Sequence, residues 1–160
     1  MLGRTPHDTG VAHDREIVAE ALKAVDGDYL ATRTYTQLSG GEKQRVHLAR
    51  VLAQIWEPAD EGHRYLVLDE PTSSFDLAHQ QLTLDVVRNL AEKGVGVLMV
   101  IHDLNLAARC ADQMLLMQCG SIVISGTAED VLKPENIASV FQVEASIGKH
   151  PTRGTPLVIT

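Results

Sequence analysis

Two short apolar runs, Tyr65–Leu68 and Val95–Ile101, constrain this 160-residue chain more than any other feature. Each stops abruptly at polar residues: Asp69-Glu70-Pro71 after the first, His102-Asp103 after the second. Between them Leu77–Lys93 reads as a helix. A continuous apolar run is expected in a strand buried on both faces of a sheet. Strand–helix–strand alternation implies a parallel pair joined by a crossover helix. The fold class is therefore α/β, a parallel sheet with flanking helices.

The rest of the chain is consistent with that class. Residues 1–12, with Gly3, Pro6 and Gly10, read as a loop. Asp14 is placed to cap a helix to about Val25, because Ile17, Val18, Ala21, Leu22 and Val25 recur at helical spacing. Asp26-Gly27-Asp28 ends it, and a polar, Thr-rich stretch at 29–37 follows. A second helix is expected from Gly40-Gly41 to about Trp56, burying Val46, Leu48, Ala49, Val51, Leu52 and Ile55. EPADEGH, residues 57–63, reads as a solvated connection. Beyond His102 a short helix is expected at Leu104–Cys110. Strands at Gln113–Gln118 and Ser121–Ser125 form a hairpin through Cys119-Gly120. Helices follow near Ala128–Leu132 and Pro134–Phe141, with a terminal strand at Leu157–Ile159.

Composition excludes several classes. A net charge of −7 argues against a nucleic-acid binder, which presents a basic face to phosphates. Cys110 and Cys119 have neither metal-ligand spacing nor the number a disulfide scaffold needs. The seven histidines are scattered without ligand spacing. No apolar run approaches the ~20 residues a membrane span requires, and the first ten residues lack a secretory apolar core. A soluble, cytoplasmic chain is expected.

The chemistry collects at three places. Ligands of open parallel sheets bind beyond the carboxyl ends of strands, where Asp69 and Glu70 stand. Asp69 suits a magnesium ion, which commonly takes one carboxylate plus water and phosphate oxygens. Glu70 could then position or deprotonate a water. On the strands alone, two acids that merely face solvent are an equal reading. His102 ends the next strand and could hydrogen-bond a terminal phosphate; taken alone, a helix-capping histidine is the simpler reading. In LSGGEKQR, Leu38–Arg45, Ser39, Gly40 and Gly41 stand at a loop-to-helix junction, where backbone N–H groups and the helix dipole favour an anion. An ordinary N-cap serine is the default for a bare Ser-Gly-Gly. No GxxxxGK[ST] phosphate-binding loop occurs in the 160 residues.

In order, LSGGEKQR, YLVLDEPT, SSFD and IHDLN together resemble the ATP-binding subunits of ABC transporters over essentially the whole chain. LSGGE is similar to the family signature, with Glu42 in place of the commoner Gln. YLVLDEP resembles the Walker B strand with its catalytic glutamate, Ser73–Asp76 the D-loop, and His102 the switch histidine. DLAHQ and HDLNLAAR further resemble the branch that serves heme, iron-siderophore and vitamin B12 importers, with LGRTPH and DLAHQ favouring heme.

The resemblance implies a P-loop NTPase-like core and part of the helical subdomain, divided as 1–56 and 57–160. It implies ATP and Mg2+ as cofactors, with Glu70 and His102 catalytic and Asp69 at the metal. Ser39, Gly40, Gly41, Glu42 and Asp76 would bind nucleotide, the first three at a γ-phosphate held by the partner subunit and Asp76 at the dimer interface. It implies a head-to-tail dimer with a second ATP-binding subunit, membrane permease subunits, a substrate-binding protein acting indirectly, no nucleic acid, and a peripheral place on the inner face of the membrane. Such cassettes carry a Walker A loop and an antiparallel β region before the signature. The expectation is thus a C-terminal portion of a longer parent, with uncovered apolar surface and weak ATP binding by itself. Ferric siderophore or cobalamin import and a non-catalytic docking role are the alternatives; the acidic balance disfavours a DNA-repair or translation ATPase.

Overall fold

The structure is a computed structural model and describes residues 11–58, 62–73 and 75–160. These form two compact units, one running to Val100 and the other from Ile101 to Thr160. That division is of a different kind from the subdomain boundary expected at 56/57.

In the first unit, α1 (Val11–Ala24) and α2 (Gly40–Gln54) are linked by 3-10 turns at Asp28–Leu30 and Tyr35–Gln37. Asp14 lies inside α1 rather than capping it. Ile17, Ala21 and Leu22 of α1 pack with Leu48, Ala49, Leu52 and Ala53 of α2. β1 (Tyr65–Asp69), α3 (Leu77–Glu92) and β2 (Gly96–Val100) complete the unit.

β1 and β2 are parallel, in register from Tyr65↔Gly96 to Asp69↔Val100, as the strand–helix–strand pattern requires. The chain reverses from α3 into β2 through Gly94, at φ 82°. There the Gly94 N–H donates to the Ala91 carbonyl and the Val95 N–H to that of Leu90. This paired reversal uses a left-handed residue that glycine adopts without steric cost.

One expectation is corrected here. β1 is not buried on both faces: Leu66 and Leu68 enter the core, while Tyr65 and Val67 are 69% and 68% exposed. Successive side chains on a strand point to opposite faces, and the packed core meets one face only. Leu98 and Val100, paired with Val67 and Asp69, are exposed on the same open face.

In the second unit, α4 (Leu104–Cys110) precedes an antiparallel hairpin of β3 (Met114–Gln118) and β4 (Ser121–Gly126). Its two-residue turn, Cys119-Gly120, has φ of 50° and 77°, the pattern of a type I′ hairpin. Then come α5 (Ala128–Val131), α6 (Pro134–Phe141), and β5 (Ser146–Lys149) paired antiparallel with β6 (Pro156–Ile159). β6 contains the expected terminal strand; its partner β5, reading Ser-Ile-Gly-Lys, carries no strand signal of its own. Asn105 on α4 donates to the Val158 carbonyl at 3.0 Å and accepts from the Val158 N–H at 2.7 Å, fastening β6 to the helix. The core of this unit gathers Ala108, Met114, Leu116, Ala128, Val131, Leu132 and Ile137.

Candidate functional site

Helix α2 opens on a capping box. Ser39 is extended at ψ 167°, its hydroxyl accepts from the Glu42 N–H at 3.3 Å, and the Glu42 carboxylate accepts from the Ser39 N–H at 2.7 Å. The motif satisfies two backbone donors reciprocally. The N–H groups of Gly40 and Gly41 have no intrahelical acceptor, since the first turn of any helix lacks one, and Gly40 is exposed. Apart from its chain neighbours and its own helix backbone, nothing lies within 4 Å of where a Gly40 Cβ would stand, so that edge of the helix is open.

Glu42 is held more tightly than a capping box requires. Arg33 Nη1 donates to its Oε1 at 2.8 Å, and the Tyr29 hydroxyl donates to the same oxygen at 3.3 Å. The Ser39 backbone N–H, the Ser39 hydroxyl and the Arg33 guanidinium together pull the Glu42 carboxyl below its ordinary pKa. Arg45, buried on the inner side of α2, bonds the Tyr29 hydroxyl and the Asp26 carbonyl. Neither Tyr29 nor Arg33 stood out in the sequence. Both lie in a polar stretch without periodicity, and only the fold brings them to Glu42.

Gln44, one turn into α2, reaches the end of β1. Its Nε2 donates to the Pro71 carbonyl at 3.1 Å and the Glu70 carbonyl at 3.4 Å. The start of α2 is thereby fixed relative to the strand end bearing Asp69 and Glu70. Glu70 has φ 45°, a left-handed conformation uncommon for residues other than glycine. Its N–H donates to the Val100 carbonyl at 3.0 Å, and its own carbonyl also accepts from the N–H and hydroxyl of Ser73. Surrounding bonds hold the backbone in this sparsely populated region, as is common where side chains are aimed for function. Asp69 is exposed on the open face of the β1–β2 pair.

Asp76 caps α3, accepting from the His79 N–H at 2.9 Å and from its ring Nδ1 at 2.8 Å. The His79 backbone bond, with the ring bond behind it, lowers the Asp76 pKa. Ser74 lies outside the described residues. The structure thus gathers Ser39, Gly40, Gly41 and Glu42 at one helix start and Asp69 with Glu70 at one strand end, bridged by Gln44. Asp76 sits at a separate helix start. His102 belongs to the second unit, where it is exposed beside Asp103, the N-cap of α4.

A two-stranded parallel pair, its crossover helix and a capped glycine helix start define the class. The model of the ABC transporter family matches residues 3–73 of the chain. It is 53% identical over 157 residues to the hemin import ATP-binding protein of Pseudomonas aeruginosa, covering 98% of this chain and 61% of that protein. To the protein of the same name from Gloeobacter violaceus it is 51% identical, covering 99% and 58%. The chain therefore spans about three fifths of the length of these relatives. Among solved structures it superposes on a transporter assigned to the metal-chelate ABC type, inward-facing, with TM-score 0.77, 25% identity, and 98% and 61% coverage. A dimeric bacterial ABC transporter cassette matches with TM-score 0.66, 27% identity, and 76% and 50% coverage. No described helix is long and apolar enough to cross a membrane.

Proposed function

We propose that these residues form the signature and Walker B portion of an ATP-hydrolysing subunit that drives heme import. The observation that supports this most is the Gln44 bridge, which ties the signature helix to the strand end carrying Asp69 and Glu70. Two ATP-binding subunits pack head to tail. Ser39, with the N–H groups of Gly40 and Gly41, meets the γ-phosphate of the nucleotide seated on the partner, where a helix start favours negative charge. Asp76 lies at the dimer interface. Glu70 orients the attacking water and accepts its proton, and His102 hydrogen-bonds the terminal phosphate.

Among the described residues no group of three His, Cys, Asp or Glu side chains could hold a metal ion. A magnesium ion here fits a single carboxylate, Asp69, completed by water and nucleotide phosphates, and it would neutralise phosphate charge. Permease subunits would place the subunit peripherally on the inner membrane face.

The test is association in trans. The fluorophore-labelled chain is titrated with the Pseudomonas aeruginosa relative, with and without ATP, and anisotropy is followed. ATP-dependent binding that Ser39→Glu abolishes is expected. Binding indifferent to both ATP and Ser39 would refute the assignment. A second reading, import of a ferric siderophore or cobalamin, is favoured by the likeness to the metal-chelate transporter; stimulation by the cognate permease decides between them.

A further inference from the structure

An anion-binding helix start gains from positive potential, yet the third residue of α2 is an acid. Placed freely, the Glu42 carboxylate would stand beside the N–H groups offered to a phosphate and repel it. Its surroundings prevent this. One carboxylate oxygen accepts from Arg33 at 2.8 Å and from Tyr29 at 3.3 Å, and the other from the Ser39 N–H at 2.7 Å. The Glu42 side chain is 15% exposed, and Arg33 lies over it at 44%. Arg33 comes from the segment between the two 3-10 turns, so its position is independent of the helix that carries Glu42. Tyr29 is aimed in turn by buried Arg45, whose Nη1 donates to the Asp26 carbonyl, just past the end of α1, at 2.7 Å.

We propose that Arg33 is a positioning residue for phosphate binding at the signature loop. With Tyr29 it turns the Glu42 carboxylate back onto the N-cap and offsets its charge. The Gly40 and Gly41 N–H groups are left for the nucleotide. Arg33 donates to Glu42 and does not itself touch the phosphate. This inference rests on the proposed reading of the signature loop as a partner's γ-phosphate site.

The experiment uses the full chain as Arg33→Gln, Glu42→Gln and the double substitution, with two readouts. Carboxyl titration by 13C NMR should show the Glu42 pKa rising in Arg33→Gln. ATP-dependent association with the Pseudomonas aeruginosa relative should weaken about fivefold in Arg33→Gln, the upper range for loss of a partly exposed ion pair. It should return to the Glu42→Gln level in the double variant, because no acid is left to neutralise. A double variant as weak as Arg33→Gln would mean that Arg33 only supports the loop, and would overturn the inference. An Arg33→Gln chain with unchanged Glu42 titration and unchanged association would overturn it as well. Failure of the unsubstituted chain to associate would instead sink the reading of the loop, and the inference with it.

Discussion

Glu42, Asp76 and Asp130 share one device: each accepts hydrogen bonds at the start of a helix, and each has its pKa lowered by them. The leading causes are the Ser39 N–H, the His79 N–H and the Thr127 hydroxyl respectively. A carboxylate whose folded pKa lies below its unfolded value stabilises the fold above the unfolded value, and that contribution fades as pH falls through the folded one. The window opens below the ordinary 4.5 of glutamate and 3.8 of aspartate. Acid titration followed by 15N–1H spectra should move the Ser39, His79 and Thr127 amides within that window and leave them fixed at neutral pH. The acceptors are side-chain oxygens at N-cap and N3 positions, so this much is legible from Ser39-x-x-Glu42 and Thr127-x-x-Asp130. Arg33 is not legible in this way, because no periodic rule links it to a residue on another element.

At the scale of the element, β1 shows the limit of reading apolar runs. Tyr-Leu-Val-Leu has no polar residue to mark an outward face, so the sequence suggests burial on both sides. Only packing reveals that alternate residues are open. Two neighbours then differ sharply. Leu66, 1% exposed, should cost about 2–5 kcal/mol on substitution by alanine. Val67→Ala should stay within about 0.5 kcal/mol, as for other exposed positions. Urea denaturation of the two variants measures the difference, and equal costs would show that the second face is covered after all. Tyr65, Val67, Leu98 and Val100 together make up that open face. The β3–β4 hairpin was the more readable element. A two-residue turn ending in glycine between apolar runs encodes both pairing and register, apart from the irregularity between Leu116 and Met117.

At the scale of the whole molecule, buried apolar side chains among the described residues gather into one cluster around Leu52 and Leu66 and another around Val131, Leu132 and Ile137. Local stability follows the cooperative unit in which a residue is buried. Ile137→Ala should therefore speed amide hydrogen exchange mainly within residues 101–160, and Leu52→Ala mainly within 1–100. Uniform acceleration by either would indicate one cooperative unit. The α/β class, the parallel order of β1 and β2, and the helix start at Gly40 follow from the sequence alone. Periodicity, crossover length and capping act over a few residues and leave a local imprint. The tertiary structure decided which face of β1 is open, that Ser146–Lys149 pairs as a strand, and that Arg33, Tyr29 and Gln44 converge on the start of α2 and the end of β1. These depend on hydrogen bonds and burial between residues far apart in the chain, which leave no periodic trace in the residues themselves.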